Sequence, residues 1–300
     1  MAAMKPLRVM QFPGSDDSWN RALRALAPEH PPAVQQAALY GTIAAARGRR
    51  CLRLEATSQG RRVALAQMIG RGGLWLLSRG PVFAPELGIW IRRAVLRRIA
   101  RRAGLVLMTP ENPLAGFGLI PLITPRHHAH WSLLPNAHSL RAGLAGKWRN
   151  RLAAAERAGL CVEPEPEIEW LLASDAAQQH ARGYRALPPS FTLAWADRSP
   201  ADLLALRVAT SKGERIAGGI FLLHGGGASY HIGWTGPEGR VSGAHNLMLW
   251  QAALRLKARG IRQLDLGAVD SEDGAGRMHF KLGTGAKPHS LGATMWVLPG

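Results

Sequence analysis

The sequence predicts a mixed α/β (α+β) protein of two subdomains, each a mixed sheet flanked by helices. Three observations carry this. The chain has 300 residues, enough for about two domains at roughly 100–200 residues each. Strand-length apolar runs alternate with helix-like segments in both halves, with Pro or Gly between them. The pattern restarts near residue 139, which sets the expected subdomains at 1–138 and 139–300. Apolar residues make up 47% and charged residues 19%. That is ordinary soluble composition and excludes a disordered chain, a collagen or a small disulfide scaffold.

The elements follow in order. Leu7-Phe12 starts a strand, followed by a loop and a short helix. Pro28, Pro31 and Pro32 break the chain. Pro32-Arg47 reads as a helix that Gly48 closes. Arg50-Glu55 and Arg61-Ile69 form a hairpin around the turn Ser58-Gly60. Leu74-Leu77 is a strand ending at Gly80-Pro81. Leu87-Gly104 is a helix, and Leu105-Met108 is a strand stopped by Pro110 and Pro113. Ser139 reads as the N-cap of a helix running to Ala158 and closed by Gly159. An acidic loop, Glu163-Glu169, leads to helical stretches around Trp170-Leu187. Strands Leu203-Thr210, Arg215-Leu223 and Ala228-Trp234 are joined by turns at Ser211-Gly213 and Gly225-Gly227. Gly243-Arg259 is a strong helix stopped by Gly260. Gln263-Leu266 and His289-Leu298 are the last strands.

Charge is distributed unevenly. Of a net +18, residues 1–150 hold 22 basic and 6 acidic side chains; the remainder holds 16 and 14. Arg over Lys follows from GC-rich coding, but codon bias does not explain why acids avoid the first half. A strongly basic half attracts polyanions. The densest cluster is the helix at 87–104. Ile89, Val95, Leu96, Ile99 and Ala103 share one face, and Arg93, Arg97, Arg98 and Arg101 the opposite one. That polar face is either solvated or follows phosphates.

No apolar run reaches the roughly 18 residues of a membrane span. The N-terminal stretch lacks a signal-peptide core, so a cytoplasmic protein is expected. Cys51 and Cys161 form no CxxC and are expected as buried thiols. His127, His128 and His130 cluster, but no Asp, Glu or Cys nearby in the sequence completes a metal set, so no metal is expected.

The order of the second half, from helix through antiparallel strands and a glycine turn to helix, strand, loop and strand, resembles the N-acetyltransferase (GNAT) fold. Its glycine turn Arg240-Val241-Ser242-Gly243-Ala244 partly resembles the GNAT pyrophosphate loop, which places Arg240, Gly243 and Ala244 on the donor phosphate. An ordinary glycine turn is the alternative. Four segments together resemble the Fem-type peptidyltransferases, the FemAB-like proteins. They are Val34-Gln36 with Tyr40-Gly41; Ser78-Val82; Lys147-Arg151 with Ala155-Gly159; and Leu264-Gly267 followed by Phe280-Lys281 and Gly283. The resemblance implies two GNAT-like subdomains and transfer of an amino acid from aminoacyl-tRNA to a peptidoglycan precursor. It also departs from the family. Thr109 precedes Pro110 where the peptidoglycan enzymes have Asp, and Thr42 stands where a Lys follows the aromatic. Arg182 and Arg185 have the charge to grip a nucleotide-sugar phosphate but no anchoring motif.

Acyl transfer to an amine needs a proton acceptor, a carbonyl held close, and a donor for the developing oxyanion. No Ser-His-Asp or Cys-His order is present, so direct transfer is expected. The resemblance assigns Lys281 to the RNA end and the oxyanion, and its compact charge suits that task. Phe280 stacks on a base or belongs to the core. Asp265 orients the amine or acts as a base, or it fixes the next loop through backbone N–H groups. Asp270, Glu272 and Asp273 form an acidic loop that holds a cationic amine or is merely solvated, with Arg277 as its partner. Lys147, Arg149 and Arg151 grip phosphates or form a solvated face. Arg79 binds a substrate phosphate or pairs with a carboxylate. His231, His245 and His279 rank below Lys281 as bases.

The expected function is acyl or aminoacyl transfer, with aminoacyl-tRNA as the donor and an amine acceptor such as a cell-wall precursor. No tightly bound cofactor is expected. An acyl-CoA donor with a small amine is the second reading, and a non-catalytic polyanion binder the third.

Overall fold

The computed structural model describes residues 7–183, 186–269 and 274–300, without the side chain of Arg182. Arg185, Asp270, Glu272 and Asp273 therefore lie outside the described residues. Internal contacts divide the chain into Met1–His127 with Ser290–Gly300 (unit 1) and His128–His289 (unit 2). This differs from a division at 138/139. The stretch before Ser139 already contains a strand of unit 2, and the C-terminus returns to unit 1.

Unit 1 runs β1 (Leu7–Gln11), α1 (Asp16–Leu26), α2 (Ala38–Ala46), β2 (Arg50–Ser58), β3 (Arg61–Arg71), β4 (Leu74–Ser78), β5 (Val82–Phe83), α3 (Ile89–Ala103), β6 (Leu105–Thr109) and β7 (Leu119–Ile123). The expected hairpin is β2–β3. β4 and β6 pair in parallel from Leu74↔Leu105 to Ser78↔Thr109. A parallel pair needs a long crossover, which α3 supplies. Its Val95, Leu96, Ile99 and Ala100 are buried, while Ile89 stays 44% exposed at the helix start. The Gln36 side chain is buried. It donates to the carbonyls of Gln67 and Ser78 and accepts from Gln67 N at 2.9 Å. That segment of the Fem-type resemblance is thus a structural clamp within unit 1.

Unit 2 runs β8 (His127–Ser132, starting at the boundary), α4 (Ala137–Ala142), α5 (Gly146–Arg157), β9 (Cys161–Pro164), α6 (Glu169–Arg182), α7 (Pro189–Arg198), β10 (Leu203–Ala209), β11 (Arg215–His224), β12 (Gly227–Thr235), α8 (Pro237–Ser242), α9 (Ala244–Ala258), β13 (Gln263–Ala268), α10 (Ala275–Leu282) and β14 (Lys287–Ser290). β15 (Thr294–Val297) then returns to unit 1. The two sheets have the orders β1-β2-β3-β4-β6-β15-β7, with β5 on β3, and β14-β8-β13-β12-β11-β10-β9. Both are mixed and flanked by helices, as expected.

β10, β11 and β12 form an antiparallel meander. β12 and β13 pair in parallel, with α9 as the crossover. Leu247, Met248, Leu249, Trp250, Ala252, Ala253 and Leu256 of α9 are all buried with α5 residues Trp148, Leu152 and Ala155 in one core. A helix covered on more than one side loses the one-sided apolar stripe of a surface helix.

Several expectations change in detail. The helix expected from Ser139 to Ala158 is two helices. Asn136 caps the first, its side chain accepting from Ser139 N at 2.8 Å. The break follows at Gly143-Ala145, where Ala145 N instead donates to Gly283 O. The acidic loop begins as edge strand β9, which leaves Cys161 exposed rather than buried. The final strand at 289–298 is two strands in different sheets, separated at Gly292, whose N–H donates to Pro110 O within unit 1. The turn at Arg240-Ala244 is the end of helix α8 followed by Gly243. β7, β8 and α10 are elements the sequence pattern does not single out. Among the described residues no helix is long and apolar enough to cross a membrane.

The capping assignment is testable. Asn136→Ala should lower stability by about 1 kcal/mol, the usual cost of a lost N-cap, whereas Ser139→Ala should leave it within error. Urea denaturation of unit 2, followed by tryptophan emission, measures both.

Candidate active site

The parallel pairing of β12 and β13 covers three residue pairs, Gly227↔Gln263, Ala228↔Leu264 and Ser229↔Asp265, and then ends. β12 stays on β11 up to Thr235, while β13 stays on β8. The strands therefore part, and a cavity of about 620 Å³ opens beyond the last pair. β12 also carries a bulge. Ile232 faces Ile220 and Tyr230 faces Phe221, so His231 is the extra residue. A bulge breaks the two-residue alternation of side chains. Consecutive Tyr230 and His231 consequently both line the cavity, with Gly233 and Thr235 beyond them.

Gly233 is required by close approach, because a Cβ there would overlap the Tyr230 hydroxyl. That hydroxyl lies 2.6 Å from Nε2 of His245 on α9. His231 is held the same way, its Nε2 lying 2.7 Å from Thr192 Oγ1 on α7. Burial penalises the charged imidazolium and drives both histidines down to about 4. For His245 an interaction with the Trp234 backbone opposes the shift in part, although Nδ1 has no hydrogen-bond partner of good geometry among the described residues. Both rings are neutral near pH 7. His279, the third candidate, is exposed on α10 and is not part of the lining.

Among the described residues, the carboxylate in the lining is Asp175 of α6. Burial raises its pKa, and a hydrogen bond from Gln179 at 2.7 Å opposes that rise. Asp175 is thus a stronger proton acceptor than an ordinary aspartate.

Around it the lining is cationic. Arg151 comes from α5, Arg240 from α8, and Arg277 and Lys281 from one face of α10. Lys281 Nζ donates to Ala268 O at 2.7 Å, which ties α10 to the end of β13. Phe280 also lines the cavity. It is half-buried, with its ring centroid 6.0 Å from Trp148 and 5.1 Å from His245, and its carbonyl accepts from Trp148 Nε1. Gly243 is left-handed (φ 74°) and begins α9. A Cβ there would meet Arg151 O at 3.1 Å, so glycine lets α5 and α9 close together.

Of the residues singled out in sequence, the fold brings Lys281, Phe280, Arg277, Arg151, Arg240 and Gly243 to one cavity. Ala244 is buried beside them as the first residue of α9. Lys147 and Arg149 are exposed on α5 outside the lining. Asp265 stands behind the cavity. It accepts from Gly267 N at 2.8 Å and meets His128 Nδ1 at 3.1 Å, which is the loop-fixing alternative. Arg79 lies in unit 1, where its guanidinium forms a two-point pair with Glu111 at 2.7 Å. Sequence reading missed Asp175, Gln178, Tyr230, Thr235 and Asn246. Tyr230 beside His231 in a strand was a signal only if the bulge was foreseen.

Residues 141–282, just under half the chain and wholly within unit 2, match the family described as an acetyltransferase (GNAT) domain. No curated protein matches the sequence. Among solved structures, FemX superposes with a TM-score of 0.78 at 14% identity, covering 97% of each chain. A tandem GNAT protein from the clavulanic acid biosynthesis pathway gives 0.54 at 15%, covering 97% of this chain and 98% of that one. The C-terminal domain of a putative lysylphosphatidylglycerol synthetase from Agrobacterium fabrum also gives 0.54, at 14%, covering 95% and 93%. The chain has the fold of these proteins. Unit 2 carries a GNAT acetyltransferase domain, and acyl transfer is its reaction class.

Two outcomes follow from the buried polar groups. Tyr230→Phe leaves His245 Nε2 buried without its partner and should destabilise the protein by about 1–3 kcal/mol, read as a lower urea midpoint. Asp175 has a raised folded pKa, so the folded state holds this proton more tightly than the unfolded chain. Ionising it costs stability as pH rises from the ordinary carboxylate range through the raised value. Asp175→Asn should then show a thermal midpoint equal to or above wild type at pH 7. That advantage should disappear at acid pH, where Asp175 is protonated in both states.

Proposed function

We propose that this GNAT-domain chain transfers an aminoacyl group from aminoacyl-tRNA to an amine in the cavity of unit 2. The observation that carries this reading is the lining itself: Arg151, Arg240, Arg277 and Lys281 against one carboxylate among the described residues, Asp175. Such a wall suits a polyanionic donor and a cationic acceptor. Lys147 lies one turn before Arg151 on α5 and extends the basic track outward, while Arg149 stands on another face of the helix.

The chemistry needs no covalent enzyme intermediate. Asp175 takes a proton from the acceptor ammonium. The amine nitrogen then attacks the ester carbonyl carbon. The C–N bond forms, the C–O bond to the terminal ribose breaks, and the ribose oxygen takes up the proton that the attacking nitrogen releases. Lys281 Nζ, positioned by Ala268 O, supplies positive charge to the oxyanion. Phe280 offers an aromatic edge for the terminal base. A cell-wall precursor is the acceptor in the Fem-type form of this reading.

An acyl-CoA donor is the second reading. The acetyltransferase family match favours it, and Arg240 and Gly243 do line the cavity. The local backbone weighs both ways, since the first amides of α9, at Ala244 and His245, have no partner within that helix. A pyrophosphate loop presents unused amides, yet Arg240 N already donates to Gly236 O and Gly243 N to Gly239 O within α8.

Label transfer from charged tRNA and from acetyl-CoA, run in parallel on an amine-containing extract, tests the reading. Transfer from tRNA is expected, with Lys281→Ala lower by about 10²–10³-fold, the range for losing an oxyanion donor. Asp175→Asn is expected lower by about 10²–10⁴-fold. Transfer from acetyl-CoA alone would establish the second reading. Salt-dependent tRNA binding without transfer, unchanged by Lys281→Ala, would support a non-catalytic binder.

A further inference from the structure

Unit 2 holds a second group of chemistry-bearing side chains that acyl transfer does not use. His128 and His130 are two residues apart on β8 and so project from one face. The neighbouring strand β13 pairs Asp265 with His130, and an irregularity before Ala268↔His128 brings the carboxylate between the two rings. His128 Nδ1 lies 3.1 Å from Oδ1 and 3.2 Å from Oδ2 of Asp265. His130 Nε2 lies 3.9 Å from Oδ2. One ligand atom from each of the three residues lies within 4.8 Å of the other two.

Those separations have a chemical meaning. Nitrogen and oxygen ligands about 2.0–2.1 Å from a tetrahedral zinc stand roughly 3.3 Å from one another. The triangle here brackets that spacing and needs only side-chain adjustment to close on an ion. The groups around it hold the ligands in place. The Gln263 amide lies 3.2 Å from His130 Nδ1. With its oxygen turned to that nitrogen, it accepts Nδ1–H and leaves the Nε2 lone pair facing Asp265. The His289 ring stacks on His130 at 4.5 Å and fixes its plane. Gly267 N–H holds Oδ1 of Asp265. The side chains are 18%, 15% and 11% exposed, so an ion can enter.

We infer that His128, His130 and Asp265 form a binding site for a divalent transition-metal ion of the zinc type, with its fourth position open to water. Two imidazoles and a carboxylate suit zinc better than calcium or magnesium, which prefer all-oxygen shells. A polar cluster that merely fixes the loop after β13 needs one histidine on Asp265. The site is distinct from the transfer cavity but mechanically joined to it. Gly267 follows Asp265 by two residues and lines the cavity, where a Cβ added to it would stand 3.5 Å from Lys281 Nζ. The ion braces that wall and takes no part in the bond changes.

The test is Zn²⁺ titration of the full chain, stripped with chelator, by calorimetry and equilibrium dialysis. One Zn²⁺ per chain is expected, with a zinc-dependent rise in thermal midpoint. His128→Gln and His130→Gln should each weaken binding at least tenfold, and the double variant should abolish both uptake and the thermal shift. Gln263→Ala should weaken it about 10–100-fold, as for other outer partners of metal ligands. Co²⁺ in place of Zn²⁺ should give a visible absorption band that the double variant lacks. The inference is overturned if the stripped wild type takes up no Zn²⁺. It is equally overturned if the double variant, melting normally without metal, binds Zn²⁺ as the wild type does.

Discussion

The structure depends on where β12 and β13 stop being neighbours. Three parallel pairs hold them together up to Ser229 and Asp265, and after that each strand follows a different partner. A continuous sheet would have filled that space with hydrogen bonds. The bulge at His231 bends one edge of the gap, and the Asp265 carboxylate on Gly267 N–H fixes the other. α10 then closes over the opening through the Lys281 bond to Ala268 O. Each of these is a backbone constraint, and together they decide which side chains meet.

Electrostatics in the cavity follow from depth. Its floor is made of buried polar groups that hold no charge near neutrality. Burial keeps His231 and His245 neutral and ties each to a hydroxyl. The arginines and Lys281 come from the surrounding helices. A charged group costs least where water reaches it, so the cations stand on the helices while the strand floor stays neutral. Asp175 departs from this pattern, and its raised pKa records the cost of burial.

Particular residues show how far the site was legible. Phe280, Lys281 and Gly243 stand in motifs, and motif residues at element ends are easy to place. Arg151 was found as a charge on a predicted helix, and Arg240 as one beside a predicted helix start. Asp175 and Tyr230 were not found, because nothing in the local pattern separates them from other helix and strand residues. Asp175 matters through its burial and its distance from residues far along the chain. Tyr230 matters through a bulge, and a one-residue slip in register leaves no mark in composition. The histidine cluster gives the same lesson in reverse. His128 and His130 lacked a carboxylate within their own stretch, and strand pairing supplied Asp265 across 137 residues.

By itself the sequence determined the alternation of strands and helices, the two mixed sheets, the acyl-transfer fold and the basic character of the first half. The alternation, the sheets and the basic half depend on local periodicity, turn chemistry and charge, which neighbouring residues carry between them, and the acyl-transfer fold was legible through the resemblance its motifs carry. The tertiary structure alone decided that the helix after Asn136 is broken, that the last strands belong to different sheets and that the Arg240-Ser242 stretch is helical. It also decided which charges face the cavity, which histidines are neutral, and that Asp265 meets two imidazoles behind it. The physical reason is common to all of these. Desolvation, register and side-chain convergence depend on distance in space, and chain positions far apart fix that distance only when the whole fold closes.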